Sequence, residues 1–445
     1  MSLYQALLKR HDEGRPIRVG LIGAGKFGSM FLSQVPHTPG LEVPVVCDLS
    51  PDRAKAACRQ VGWDEARISA TRFSDDAITA IDRFDIDVVV EATGNPAAGL
   101  RHARAGIKKG KHVVMVNVEA DVLVGPLLAE EARSMGVVYS LAYGDQPALT
   151  AEIVDWARAS GFGIVAAGKG TKYLPAYHQV TPDNVWEHYG FSNQEAVAAG
   201  LNPQMFNSFL DGTKSAIEMA AIANATGLDV PSGGLTFPPC GADDLPHVLR
   251  PKSVGGTLEQ SGIVEVVSSL ERDGRPVHRD LRWGVYAVFE APNDYAAACF
   301  RQYGLKTDAS GRYAAMFKPY HLIGLELNIS ILSAALRGEP TGQARSFRAD
   351  VAAVAKRDLR PGEKLDGEGG FMVWGRAMRA ADSLRIGALP IGLAHNIRLK
   401  TNVAAGSTLR WSDVDIPEGD ETIAARREME RLPHGAVAML REGSR

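Results

Sequence analysis

At 445 residues with 45% apolar content, the chain has material for about three domains of ~150 residues, with cores that need no disulfide staples. Its 49 basic and 52 acidic residues, a formal charge of −3, are mixed along the chain, which excludes a basic field for nucleic acid or an anionic membrane. Cys47, Cys58, Cys240 and Cys299 lack C-x-x-C spacing and histidine companions, and no run reaches the ~20 apolar residues of a membrane span, so free thiols in a soluble cytoplasmic protein are expected.

The N-terminal MSLYQALLKRHDEG is amphipathic. Residues 17–22 (IRVGLI) form a β-branched apolar run ending in glycines, as a buried parallel strand does before a tight turn, and a helix is expected from Lys26. The alternation repeats through LEVPVVCD (41–48), a helical PDRAKAACRQVG, IDVVVEAT (86–93), a helix over 96–109, KHVVMVN (111–117), a helix from Asp121, and VVYSLA (137–142). Strands alternating with helices require crossovers, which predicts an N-terminal Rossmann domain with a doubly wound parallel sheet over residues 1–160. A helix at 147–159 and a strand FGIVAAGKG follow. The rhythm then loosens into helices at 203–226 and 319–337 and strands at 281–291 and 312–317, which predicts a central α+β substrate or oligomerisation domain over 161–338. Beyond the polar linker at 337–346, short strands punctuated by turns predict a small, mainly β C-terminal module over 347–445.

Gly23-Ala24-Gly25-Lys26-Phe27-Gly28 is a G-x-G-x-x-G string between an apolar strand and a helix, with Asp48 twenty residues on. In that context the glycines permit the turn, the approach of a pyrophosphate and close helix packing, while the helix N-terminus attracts anions. Asp48 suits the ribose hydroxyls of NAD, whereas Ser50 and Arg53 can accept the 2′-phosphate of NADP; Arg53 as a solvated helix charge remains the alternative. Thr93 and Gly94, and Asn117, lie at strand ends that face the cofactor cleft of such folds, with helix capping the alternative for Asn95 and Asp121. Lys169, Lys172, Lys214, Lys318 and His321 form a set of cations that could donate to a developing alkoxide or hold a phosphate. Lys214 and Glu218, at i and i+4, could instead pair along one helix. Asp145, Glu152, Asp211 and Glu218 are candidate acids, bases or cation ligands, Asp145 equally a helix cap.

The fingerprint IRVGLIGAGKFGSMF, with ATGNPAAG, NVEADVLVGP, SLAYGDQPAL and FNSFLDGTKSAIEMAAIANATGL, resembles the homoserine dehydrogenase-like oxidoreductases that carry a SAF domain. Within them it is most similar to the 1-deoxy-D-xylulose 5-phosphate reductoisomerase-like (DRL) enzymes, over essentially the whole chain. The resemblance implies a SAF-like C-terminal module and NADPH-dependent conversion of 1-deoxy-D-xylulose 5-phosphate into 2-C-methyl-D-erythritol 4-phosphate, an isoprenoid precursor, assisted by Mg or Mn. It would place the cation on Asp145 with Glu218 or Glu152, and the phosphate or proton donors among Lys169, Lys172, Lys214, Lys318 and His321. The acidic spacing of the ordinary reductoisomerase is absent. Two other readings stay open: a homoserine dehydrogenase-like reductase of another small aldehyde or ketone, and a non-catalytic dinucleotide-binding regulator. A homodimer is expected, twofold assemblies being the commonest.

Overall fold

The computed structural model describes residues 2–83 and 85–432, which form two compact units. Of the described residues, the first comprises those within 2–152, 321–346 and 425–432; the second comprises Ile153–Tyr320 and Phe347–Ala424. The helix Asn328–Arg337, expected within the central region, belongs to the first unit, and most of the C-terminal β module belongs to the second.

In the first unit, β1 (Ile17–Ile22), β2 (Leu41–Cys47), β3 (Arg72–Ser74), β4 (Val88–Glu91), β5 (His112–Met115) and β6 (Tyr139–Leu141) form a parallel sheet in the order β3-β2-β1-β4-β5-β6. That is the doubly wound dinucleotide-binding order, with its switch point beside β1. The strands run nearly unbroken in Val, Ile and Leu because both faces are covered. One face buries Val19, Leu21, Val46, Val88 and Val90 against Phe31 and Leu32, together with Leu327, Ile331 and Leu332. The other packs Ile22, Val45 and Val89 on Ala77, Ile81 and Ile86. Full burial of each such aliphatic side chain contributes roughly 1.5–3 kcal/mol, so the late segment 327–332 is an integral part of this core.

Two expected helices shift for local reasons. The helix after β5 begins at Val118 rather than Asp121, because the Asn117 side chain caps it by accepting the Ala120 N–H at 3.0 Å. The helix expected over 319–337 begins only at Asn328, preceded by a turn in which Gly324 takes φ +79°. A Cβ on Gly324 would lie 2.8 Å from the Phe27 carbonyl oxygen, so a glycine there lets the turn seat against the helix Lys26–Gln34.

The second unit holds a mixed sheet in the order β10-β9-β7-β8, from β7 (Gly163–Thr171), β8 (Ile263–Ser268), β9 (Val285–Glu290) and β10 (Tyr313–Lys318). Strands β7 and β8 are parallel; the other pairs are antiparallel. Strand β8 was not among the expected elements. Its central Glu265 is buried and satisfied by the N–H groups of Thr236, Phe237 and Val266 and the Thr236 hydroxyl. The expected helix over 203–226 is two helices, Pro203–Leu210 and Thr213–Thr226, broken where Gly212 adopts φ +90° and Asp211 turns its carboxylate onto the Thr213 N–H. The β module pairs β11 (Ala349–Ala355) with β13 (Val373–Arg379) and β12 (Lys364–Asp366) with β14 (His395–Arg398), antiparallel as a small mainly β domain requires. It adheres to the helix Thr213–Thr226, where Asn224 bonds the backbone of Arg348 and Ala349 and Thr213 accepts the Gly375 N–H.

Candidate functional site

The first unit builds a dinucleotide cradle at the carboxyl ends of β1, β2 and β4. Gly23 has φ +98°, and a Cβ there would meet the Ala92 carbonyl oxygen at 2.5 Å; one on Gly28 would sit 2.2 Å from the Gly23 oxygen. Both glycines are therefore dictated by backbone contacts inside the protein. Gly25 differs, because a Cβ there would meet nothing within 4 Å, so its bareness serves space outside the fold. The helix that follows starts at Lys26 with no side chain capping it, and Gly25 and Lys26 are exposed. A pyrophosphate finds there the uncommitted N–H groups and positive dipole that attract it. Ala24 and Phe27 act through the backbone and packing: the Ala24 N–H donates to Asp48 at 3.0 Å, which locks the loop to the end of β2.

Asp48 is buried and also accepts from the Ser50 N–H at 3.0 Å and from Arg53 at 2.6 Å. Ser50 caps the helix Pro51–Gln60 by accepting the Arg53 N–H. The Arg53 side chain is 65% exposed, so its guanidinium stands over the carboxylate with donors still turned to solvent. The two residues whose preferences conflict in sequence are thus one unit, the arginine offsetting the acid.

Asn117 is buried, and exposed Thr93 turns its hydroxyl onto the sheet. The Thr93 hydroxyl donates to the buried Glu91 at 2.6 Å, and His102 Nδ1 lies 3.2 Å from the same oxygen. Asn117 spends its amide on the Asn95 carbonyl and its oxygen on a cap, while Asn95 itself caps the helix Pro96–Lys108. Gly94 has φ +70° and open space where a Cβ would be. Asp121 caps nothing. It is fully buried, accepts from the Tyr139 hydroxyl at 2.9 Å, leaves Oδ2 without a hydrogen bond, and is pushed by burial to a pKa of about 7.

Past β6, the turn Tyr143–Gly144 meets the segment from His321. A Cβ on Gly144 would lie 2.8 Å from the Leu322 carbonyl, so this glycine admits the close approach. The approach sets His321 Nε2 3.1 Å from the Gln146 amide, and Glu326 closes the turn by accepting the Leu322 N–H. Asp145 is buried and accepts the Gln146 N–H at 2.8 Å, at the start of the helix Gln146–Ala159, and Glu152 accepts the Tyr143 hydroxyl at 2.8 Å. With Gln146 donating, the His321 ring uses Nε2 as acceptor, which leaves Nδ1 as its N–H donor. Gln146 and Glu326 carried no sequence signal beyond lying in SLAYGDQPAL and in the expected helix.

In the second unit the expected cations part company. Lys169, on β7, forms a buried ion pair with Glu218, so a strand lysine engages this helix carboxylate. Lys214 lies in the first turn of the helix Thr213–Thr226 and Lys318 at the end of β10. Lys172 donates to the His188 carbonyl and lies 5.7 Å from the Tyr189 ring centre, its ammonium pKa lowered by burial and then by Arg282. Asp211 is buried with Lys356, whose ammonium donates to Asp211 and to the carbonyls of Val180 and Gly370 at 2.7–2.9 Å; burial still raises the Asp211 pKa. His178, which sequence reading missed, lies 3.0 Å from the Tyr173 hydroxyl and 2.7 Å from the Asp211 carbonyl, and stacks on Trp374 at 3.9 Å. Burial lowers its pKa.

The donor set expected for Mg or Mn does not fit one. Among the described residues no three His, Cys, Asp or Glu side chains gather as a metal requires, Glu218 is neutralised by Lys169, and Glu152 holds Tyr143. No helix of the described residues is long and apolar enough to cross a membrane.

Three family models match the chain. Residues 17–116 match an oxidoreductase family with an NAD-binding Rossmann fold, residues 144–327 the catalytic domain of the oxidoreductase DRL, and residues 350–415 a SAF domain. The chain thus carries the parts of a nicotinamide-dependent oxidoreductase of the GFO/IDH/MocA type with a SAF domain. A curated relative, glycosyl hydrolase family 109 protein 4 of Phocaeicola vulgatus, is 32% identical over 104 residues, 22% of this chain and 19% of the relative, so the match spans about a fifth of that protein. A myo-inositol dehydrogenase from Lactobacillus casei, solved with NAD(H) and myo-inositol, is similar over 38% of this chain and 50% of its own at 16% identity and a TM-score of 0.29. A probable dehydrogenase from Thermotoga maritima aligns over 73% of this chain and 90% of its own, at 14% identity and a TM-score of 0.39.

Proposed function

We propose that the protein is an NADPH-dependent reductoisomerase that converts 1-deoxy-D-xylulose 5-phosphate into 2-C-methyl-D-erythritol 4-phosphate. The observation that carries this reading is the match of residues 144–327 to the DRL catalytic domain, the stretch that contains Asp145, Lys169, Lys172, Lys214, Glu218, Lys318 and His321. The residues of the cradle fit a dinucleotide: Gly25 and the uncapped helix start would hold the pyrophosphate. Arg53, by covering Asp48, would accept a 2′-phosphate that the bare carboxylate would repel, which favours NADPH over NADH. Bound there, the reduced nicotinamide supplies the hydride.

His321, oriented by Gln146 through Nε2, would donate to the substrate from its other ring nitrogen. The expected lysines, Lys172 among them, would bind the substrate phosphate or donate protons. No step is assigned to a metal, since the carboxylates that were candidates are engaged elsewhere. The test is NADPH oxidation by the purified full chain with 1-deoxy-D-xylulose 5-phosphate, with and without Mg or Mn, and product identification by mass. Cofactor oxidation with formation of the branched product is expected under at least one condition. Turnover of aspartate semialdehyde in its place would move the protein to simple carbonyl reduction; tight NADPH binding without any turnover would favour a regulator.

A further inference from the structure

Lys172 stands one residue past β7, and Arg282 lies in the turn Leu281–Gly284 before β9. That turn is drawn onto β7, since the Gly170 N–H donates to the Gly284 carbonyl at 3.1 Å. A Cβ on Gly170 would lie 1.9 Å from the Leu281 oxygen and 2.9 Å from the Arg282 nitrogen, so only glycine admits this approach. The result brings the arginine beside the lysine, and the repulsion is felt: Arg282 lowers the Lys172 pKa after burial has done so.

Several less exposed cations of this unit are matched to acids, although Arg376, also only partly exposed, is in no ion pair among the described residues. Lys169 has Glu218, Lys356 has Asp211, Arg250 has Asp308, Arg348 has Asp229 and Arg379 has Glu259. Among the described residues, Lys172 and Arg282 take part in no ion pair of this kind, although both are only partly exposed. The nearby phenols do not supply the missing charge, because burial raises the pKa of Tyr177 and pushes that of Tyr189 up to about 12. Two like charges held together at partial burial are stabilised when an anion joins them; the neighbouring Asp280 carboxylate accepts the Arg282 backbone N–H at 2.8 Å and forms no ion pair with either side chain among the described residues. The guanidinium also lies 4.8 Å over the ring of Trp283, which is 60% exposed and flanks the same spot.

We propose that Lys172 and Arg282 form the subsite that receives the phosphoryl group of the substrate, with Trp283 flanking it. The inference rests on the reading that the substrate is a phosphorylated sugar. The planar guanidinium supplies a two-pronged donor and the ammonium a point charge, the combination suited to a tetrahedral dianion.

The test titrates the full-length protein with inorganic phosphate at constant ionic strength, following tryptophan emission and, independently, phosphorus-31 line broadening. A saturable response is expected by both probes. Trp283→Phe should remove the emission change and keep the broadening. Arg282→Gln and Lys172→Gln should each weaken phosphate binding roughly tenfold or more, with Arg282→Lys intermediate, as loss of a charge-assisted contact predicts. Thermal unfolding of each variant separates loss of binding from loss of fold, and Arg282→Lys keeps the question open to decision if the glutamine variant unfolds. Absence of any saturable response in the wild type, or wild-type affinity in folded Arg282→Gln, overturns the subsite. Phosphate binding without turnover of 1-deoxy-D-xylulose 5-phosphate leaves the subsite standing and rejects the reductoisomerase reading. Turnover with an unchanged KM in Arg282→Gln does the reverse.

Discussion

The two units treat buried charge differently. In the first, Asp48, Glu91 and Asp121 meet near neighbours in the chain or neutral groups, Asp48 with Ser50, Arg53 and the Ala24 N–H, Glu91 with Thr93 and His102, Asp121 with Tyr139, and Glu91 and Asp121 each keep one oxygen without a hydrogen bond. In the second, two buried carboxylates meet lysines from distant segments, Glu218 with Lys169 and Asp211 with Lys356, while Glu265 is held by neutral donors. The lesson is one of division of labour. A cofactor whose phosphates are met by backbone N–H groups needs a precisely shaped loop and few cations. A domain that handles an anionic, reacting molecule needs cations whose positions are held by the fold.

The contrast breaks most visibly at Lys356. Lys356→Ala leaves Asp211 buried without its counter-charge and strips donors from Val180 and Gly370, so a loss of ~3–5 kcal/mol is expected in denaturant unfolding. A loss under ~1 kcal/mol would show that water reaches the pair and that the distinction between units is unfounded.

The first unit's counterpart is Asp121, which has no cation. Its folded pKa, about 7, lies above its ordinary value of 3.8, so the folded state holds a proton that the unfolded state has released between those pH values. The associated stability is fully present below about pH 4 and lost as pH rises through about 7, a swing of up to ~4 kcal/mol. Asp121→Asn should flatten that part of the stability profile relative to wild type. Parallel profiles for the two proteins would sink the assignment.

The glycine loop sharpens the comparison further. Gly28→Ala forces a contact with the Gly23 oxygen and should cost ~1–3 kcal/mol of stability, whereas Gly25→Ala should melt like wild type yet bind NADPH about tenfold more weakly. Equal effects on melting would mean that Gly25 also serves the fold. The smallest effect belongs to Arg53→Ala: stability within ~0.5 kcal/mol, since the guanidinium is largely exposed, but a several-fold shift of preference from NADPH toward NADH by direct binding measurement. An unchanged ratio would return Arg53 to the role of a solvated helix charge.

Much of the first unit was legible in the residue order because its determinants are local. Val- and Ile-rich runs, the spacing of Gly23, Gly25 and Gly28, and Asp48 at the end of the next strand each lie within one strand, turn or helix. The misplacements were also local in cause: Asn117 capped a helix earlier than its apolar pattern suggested, and Gly212 and Gly324 broke helices that periodicity alone carried through. The second unit was less legible. Its strand β8 carries Glu265 in mid-run, and a buried carboxylate is tolerable only where Thr236 and Phe237 happen to supply donors.

By itself, then, the sequence determined the parallel sheet, the cradle for a dinucleotide and the mainly β module, because hydrophobic period and glycine spacing act over a few residues. The tertiary structure decided which charges meet one another: that Arg53 covers Asp48, that Lys169 pairs with Glu218, and that Lys172 and Arg282 are brought side by side. Coulombic and hydrogen-bond partners are set by distance in space, and positions 172 and 282 become neighbours only when the turn before β9 closes onto β7.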